Sequence, residues 1–226
     1  MAANHDTVAT TDRGFQFGDG LFETIAVKAG QIRLWLAHRA RLEAGLQQLR
    51  LSPEGLDWPA LEAALIAAAP AGEGVLKLVV TAGDSVQGYR RIESALRWFI
   101  TAREMPQRPA EWWTNGVCLR VCETRLGKNR VLAGIKHLNR LEQVLARSEW
   151  DDPAIADGVM LDTDGRVVST TMANLFLVDG EVLRTPDLEQ CGIQGVMKAR
   201  VIEEAKALGL AVQEQGISLE QLQEAD

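Results

Sequence analysis

The sequence predicts an α+β protein built as two small α/β domains. Three observations carry that expectation: strand-like apolar runs alternate with runs of helical spacing, turn dipeptides separate them, and a proline-bracketed segment (MPQRP, residues 105–109) divides the chain near its middle. The chain has 226 residues, 46% of them hydrophobic, enough apolar material for one large domain or two small ones. The division expected is an N-terminal α/β domain over 1–105, a linker over 106–110 and a C-terminal domain over 111–226.

Residues 21–28 (LFETIAVK) alternate loosely and are rich in strand formers; Ala29, Gly30 and Gln31 then turn the chain into a second strand over 32–35. From Ala37 the period changes, with Leu42, Leu46 and Leu49 at helical spacing. A second helix is expected over 59–69, with proline in its first turn. Residues 75–81 and 96–103 read as two more strands. Beyond the linker, 117–125 reads as a strand and 138–150 as an amphipathic helix. Apolar stretches flank the turns at Asp164-Gly165 and Asp179-Gly180, and a helix over 195–208 stops at Gly209.

The formal net charge is -7 and is spread along the chain, so a phosphate backbone is repelled and nucleic acid is excluded as a partner. Cys118, Cys122 and Cys191 are odd in number and irregularly spaced, which argues against a disulfide framework, and no second Cys or His pair completes a zinc site. No metal is expected. No apolar run approaches the roughly 20 residues of a membrane span, and the N-terminus lacks the apolar core of a secretory signal. The expectation is a soluble cytoplasmic protein.

Three places stand out for chemistry. Lys136 lies in GIKHLNR between an apolar run and a helix start; an amine desolvated there is a usable nucleophile and base, while the plainer reading is a lysine reaching solvent from a strand end. Arg39 and Arg41 in HRARL offer a fork for a phosphate, or else line a solvated helix face. Gly192 and Gly195 in GIQGVMK open a helix whose first amides can bind an anion, or simply make a turn.

Taken together, the stretches DRGFQFGDGLFET (12–24), HRARL (38–42), LAGIKHLNRLEQVLAR (132–147), MANLFLV (172–178) and GIQGVMK (192–198) resemble the fold-type IV (class IV aminotransferase-like) pyridoxal-phosphate enzymes, and within them the aminodeoxychorismate lyase branch. The order is the same over essentially the whole chain. The resemblance implies the D-amino-acid aminotransferase-like fold, with pyridoxal 5'-phosphate as cofactor and Lys136, in the C-terminal domain, as the residue that forms its Schiff base and later moves the proton. It implies further that Arg41 binds the cofactor phosphate, completed by the amides of Gly195 and Val196, and that Asn174 lies near the cofactor. It implies a homodimer with the active site between the domains, and a small-molecule substrate, aminodeoxychorismate, converted to 4-aminobenzoate and pyruvate for folate biosynthesis.

The chain departs from that pattern in four places. Ser169 stands where the family has a glutamate on the pyridine nitrogen, Ala82 and Gln87 stand where the lyases tend to have arginines, and relatives continue beyond the equivalent of Asp226 through a strand and loop. Tyr89, Arg90 and Arg91 are the candidate substrate contacts in place of those arginines. A hydroxyl makes only a neutral hydrogen bond to the ring nitrogen, so Ser169 is expected to tolerate an elimination driven by aromatisation while weakening transamination. The other readings are a D-amino-acid or branched-chain aminotransferase on the same scaffold, and a catalytically impaired homologue. His38 and His137 are expected to orient or pack, Asp19 and Glu23 to cap or pair, and the Trp112-Trp113 pair to plug the linker or form a dimer contact.

Overall fold

In the computed structural model the chain forms two units, Met1–Gln107 with Ile135–Asn139, and Arg108–Gly134 with Arg140–Asp226, and the residues described are 7–84, 88–91 and 95–225. Asp12 starts the first unit. Its carboxylate accepts from the amides of Gly14 and Phe15, capping the short helix α1 (Arg13–Phe17), and from the Thr81 hydroxyl at 2.8 Å. Strand β1 (Gly20–Lys28) follows. Ala29 and Gly30 both take positive φ, the turn that matches strand twist, and the chain returns as β2 (Gln31–Ile32). The second strand expected over 32–35 ends at Ile32 because Leu34 is left-handed (φ 53°) and opens helix α2 (Trp35–Gln48).

Helix α3 (Trp58–Ala68) is capped by Asp57, and strands β3 (Gly74–Thr81) and β4 (Arg97–Glu104) complete an antiparallel sheet of order β2-β1-β3-β4. Register pairs Leu21 with Val80, Glu23 with Leu78 and Ile25 with Leu76. Those side chains face α2, where Leu42 and Leu46 are buried, and the period of two places a carboxylate, Glu23, inside an otherwise apolar face. Since β2 pairs only with the end of β1, the edge at residues 20–22 is open to another segment. Residues 136–138 take it: the Phe22 amide donates to the Lys136 carbonyl at 2.9 Å and the Leu138 amide to the Gly20 carbonyl at 3.0 Å. This backbone pairing is why Ile135–Asn139 belongs with the first unit although it follows the expected linker.

The second unit begins with α4 (Trp112–Asn115) and β5 (Cys118–Val121). The strand expected over 117–125 is shorter because the amides of Glu123 and Thr124 leave the sheet for the Glu149 carboxylate, both at 2.8 Å. Helix α5 (Leu141–Arg147) starts three residues later than the expected 138, since Leu138 is spent on β1. Then β6 (Ile155–Leu161) lies parallel to β5 and antiparallel to β7 (Val167–Thr170). A hairpin of β8 (Leu177–Asp179) and β9 (Val182–Pro186) feeds helix α6 (Val196–Ala207), which crosses over to β10 (Ala211–Gln215), parallel to β9. Gly209 (φ 81°) stops α6 where expected. Helix α7 (Leu219–Gln223) carries a Ser218/Gln221 capping box. One apolar cluster gathers Cys122, Leu126, Trp150, Met160 and Val168, another Val159, Leu161, Val167, Leu177 and Ile217.

Candidate active site

The backbone of Lys136 is fixed on the edge of β1. Its carbonyl is bound by Phe22 on the β1 edge, and its half-buried side chain lies with Nζ 4.4 Å above the Phe22 ring centroid. The next residue of β1, Glu23, points to the opposite face. There its carboxylate, 1% exposed, receives Arg41 Nε at 2.8 Å, a second nitrogen of the same guanidinium, and lies 2.7 Å from His38 Nδ1. Burial pushes the Glu23 carboxyl upward, but the hydrogen bonds and charges of His38 and Arg41 outweigh it and hold the group below its ordinary range. Arg41 is thereby locked at one end of its fork.

A second cluster in this unit surrounds Asp19. Arg13 Nε donates to Asp19 at 2.7 Å and its terminal nitrogens donate to the carbonyls of Gly88 and Tyr89. Arg91 binds the same carboxylate through two nitrogens and the Leu49 carbonyl through a third at 2.6 Å. Burial raises the Asp19 carboxyl, yet these two arginines lower it further. With Phe17 and Tyr89 the cluster lines an open cleft of about 460 Å³. Tyr89 is 85% exposed and its ring lies 5.4 Å from Phe17. Arg90 is exposed too, Ala82 is buried, and Gln87 lies outside the described residues. Arg91 is thus a staple for residues 88–91 as much as a candidate substrate contact.

In the second unit, Asn174 Nδ2 donates to the Ile193 carbonyl at 3.0 Å. A Cβ on Gly195 would stand 2.0 Å from Asn174 Oδ1, so only glycine fits there without displacing that side chain. Gly195 is the N-cap of α6, and among the described residues no side chain caps the helix, which leaves the first-turn amides from Val196 onward for another acceptor. Gly134 and Gln194 exchange backbone bonds with this turn: Gly134 donates to Gly192 at 3.0 Å and Gln194 to Gly134 at 2.8 Å. Ser169 sits on β7, half-buried, with Oγ donating to the Thr170 carbonyl at 2.8 Å. Lys198, in the first turn of α6, is 2% exposed.

Among the described residues no cluster of His, Cys, Asp and Glu could hold a metal, and no helix is long and apolar enough to cross a membrane. Taken singly, an amine at a strand edge can react with a carbonyl group, and a guanidinium held by a buried carboxylate or a helix start without a side-chain cap can bind an anion. A profile of the amino-transferase class IV family matches residues 20–226. The chain belongs to that family. It is 40% identical to the aminodeoxychorismate lyase of Vibrio harveyi over 218 residues, 95% of this chain and 79% of that protein. It is also similar to the crystal structure of 4-amino-4-deoxychorismate lyase from Pseudomonas aeruginosa, with 44% identity, a TM-score of 0.93, and coverage of 100% of this chain and 83% of that one. In fold alone it is similar to a hypothetical aminotransferase from Mycobacterium tuberculosis solved in a PLP-bound form, 21% identical with a TM-score of 0.81 over 100% of this chain and 80% of that one.

Sequence reasoning assigns Glu23 a pairing role and His38 an orienting or packing role without linking either to Arg41, and it misses Lys198. Glu23 had a signal: it occupies an inward position of the Leu21, Ile25, Val27 alternation, and a carboxylate there requires a buried cation. Lys198 had none, since a lysine in a helix is ordinarily on its wet face.

Proposed function

We propose that this chain carries pyridoxal 5'-phosphate on Lys136 and is a carbon–oxygen lyase that converts 4-amino-4-deoxychorismate to 4-aminobenzoate and pyruvate. The observation that carries the reading is the placement of Lys136: its backbone is pinned to β1 and its amine lies over an aromatic ring. The likeness to two lyases over nearly the whole chain supports the choice of reaction, and the PLP-bound relative supports the cofactor.

The donor set fits the group. Arg41, gripped by Glu23, would offer a phosphate a charged fork, and the first amides of α6 at Gly195 and Val196 are donors of the kind a phosphate takes. A side chain at position 195 would meet Asn174, so the glycine keeps that cradle open. When bound, the cofactor supplies an aldehyde that captures amines and a ring that accepts electrons. Lys136 Nζ would hold the aldehyde until the substrate's own amino group displaces it, and the freed amine would then serve as base, taking the proton from the substrate ring carbon that bears the amino group. The electron pair left behind expels the enol ether oxygen from the neighbouring carbon. The ring becomes aromatic, and the enol that leaves tautomerises to pyruvate. Ser169 Oγ donates to the Thr170 carbonyl and, being uncharged, would not hold a ring nitrogen in its protonated form as a carboxylate does. Aromatisation drives this elimination and reduces its dependence on electron withdrawal.

The same reading makes the chain a cytoplasmic homodimer. All three cysteines are free thiols, as a reducing compartment expects, and Leu141, Val144 and Leu145 form an outward apolar stripe on α5. The test is incubation of the purified protein and pyridoxal phosphate with aminodeoxychorismate. Pyruvate and 4-aminobenzoate are expected in equal amounts, and Lys136→Ala is expected to release neither. Amino transfer to 2-oxoglutarate without pyruvate release would overturn the proposal.

A further inference from the structure

Lys198 is the most deeply buried charged side chain among the described residues of the second unit. Its three ammonium protons meet three acceptors: the Pro186 carbonyl at 3.1 Å, Gln194 Oε1 at 3.3 Å and Glu214 Oε2 at 2.7 Å. A cation in the first turn of a helix opposes the helix dipole, and burying an ammonium is costly even when it is paired. Packing alone therefore gives a poor reason for a lysine here. What the contacts accomplish is mechanical. They tie the end of β9, the strand β10 and the turn before α6 to one side chain.

That turn is gripped from two directions. Asn174 holds the Ile193 carbonyl, and Lys198 holds the side chain of the next residue, Gln194, whose amide donates to Gly134. Gly195 follows, and then the first amides of α6. We infer that Lys198 is a positioning residue that fixes the Gln194–Gly195 turn and so aims the helix amides at the cofactor phosphate. The inference rests on the reading of those amides as phosphate donors.

Binding of pyridoxal phosphate and of pyridoxal, which lacks the phosphate, separates position from general stability. Both are titrated into the cofactor-stripped full chain and followed by tryptophan fluorescence. Lys198→Met keeps the length of the side chain and removes its donors. It is expected to lower the preference for the phosphorylated compound roughly tenfold, as loss of well-aimed charge-assisted bonds does, while pyridoxal affinity changes less than about twofold. Gln194→Ala is expected to act in the same direction, with the double variant no worse than either single one. An unchanged preference in Lys198→Met, or an equal loss for both compounds, overturns the inference. If that variant does not fold, an unchanged preference in Gln194→Ala overturns it instead. A wild-type chain with no preference for the phosphorylated compound would sink the phosphate reading itself, a result distinct from variants that merely keep it.

Discussion

The two units hold their candidate site residues by different physics. In the first, apart from Lys136, whose backbone pairs with β1, position comes from charge: Glu23 locks Arg41 and binds His38, and Asp19 locks Arg13 and Arg91. In the second it comes from backbone shape, with Gly195 leaving space, Asn174 holding a carbonyl and α6 presenting uncapped amides. A charge-built site is rigid while its carboxylates are ionised and loosens in acid. A site built on backbone shape fails instead when a side chain is added.

The largest effect that sharpens this contrast is expected from Glu23→Ala. It leaves the part-buried Arg41 and the buried His38 without their shared carboxylate, which costs about 3 kcal/mol, the low end for broken buried pairs. Urea unfolding checks it; a loss under about 1 kcal/mol would mean the pair is replaceable. Gly195→Ala comes next. The new Cβ would displace Asn174 from the Ile193 carbonyl, for about 1 kcal/mol of stability, and the telling readout is cofactor affinity, which is expected to fall about tenfold. Unchanged affinity would break the idea that glycine shapes the cradle.

Acid gives a smaller but directional effect. The folded Glu23 carboxyl lies below its ordinary 4.5, so the unfolded chain binds the proton more readily. Its contribution is present above that value and is lost as pH falls through the lower folded value. Asp19, lowered from 3.8, acts in the same sense. Stability measured between pH 6 and about 3 should therefore fall less steeply in Glu23→Gln than in wild type; equal slopes would contradict the charge-built account. The smallest effect on stability belongs to Ser169→Glu, at a half-buried position of β7. There the change expected is in chemistry, a rise in amino transfer measured with 2-oxoglutarate, and no rise would remove Ser169 from the explanation of reaction preference.

Much of this was legible beforehand. Strands β1, β3 and β4, the hairpin turn at Gly180 and the stop at Gly209 follow from period and turn chemistry, and the class IV family likeness from the GIKHLNRLEQVL string. What was not legible depends on long-range pairing. No local pattern says that residues 136–138 complete the edge of β1, yet that bond shortens the helix expected from 138 and sets Lys136 over Phe22. The withdrawal of Glu123 and Thr124 from β5 toward Glu149 is likewise tertiary. By contrast α7 carries a local signal of its own: Ser218 and Gln221 spell a helix start three residues apart.

The central claim is that one amine, Lys136 Nζ, holds the cofactor. Borohydride reduction of the protein with pyridoxal phosphate, followed by peptide mass spectrometry, tests it most directly. The account predicts a phosphopyridoxyl group on the peptide containing Lys136 and none in Lys136→Ala. A label on another lysine, Lys198 included, or no label on the wild-type chain, would contradict it.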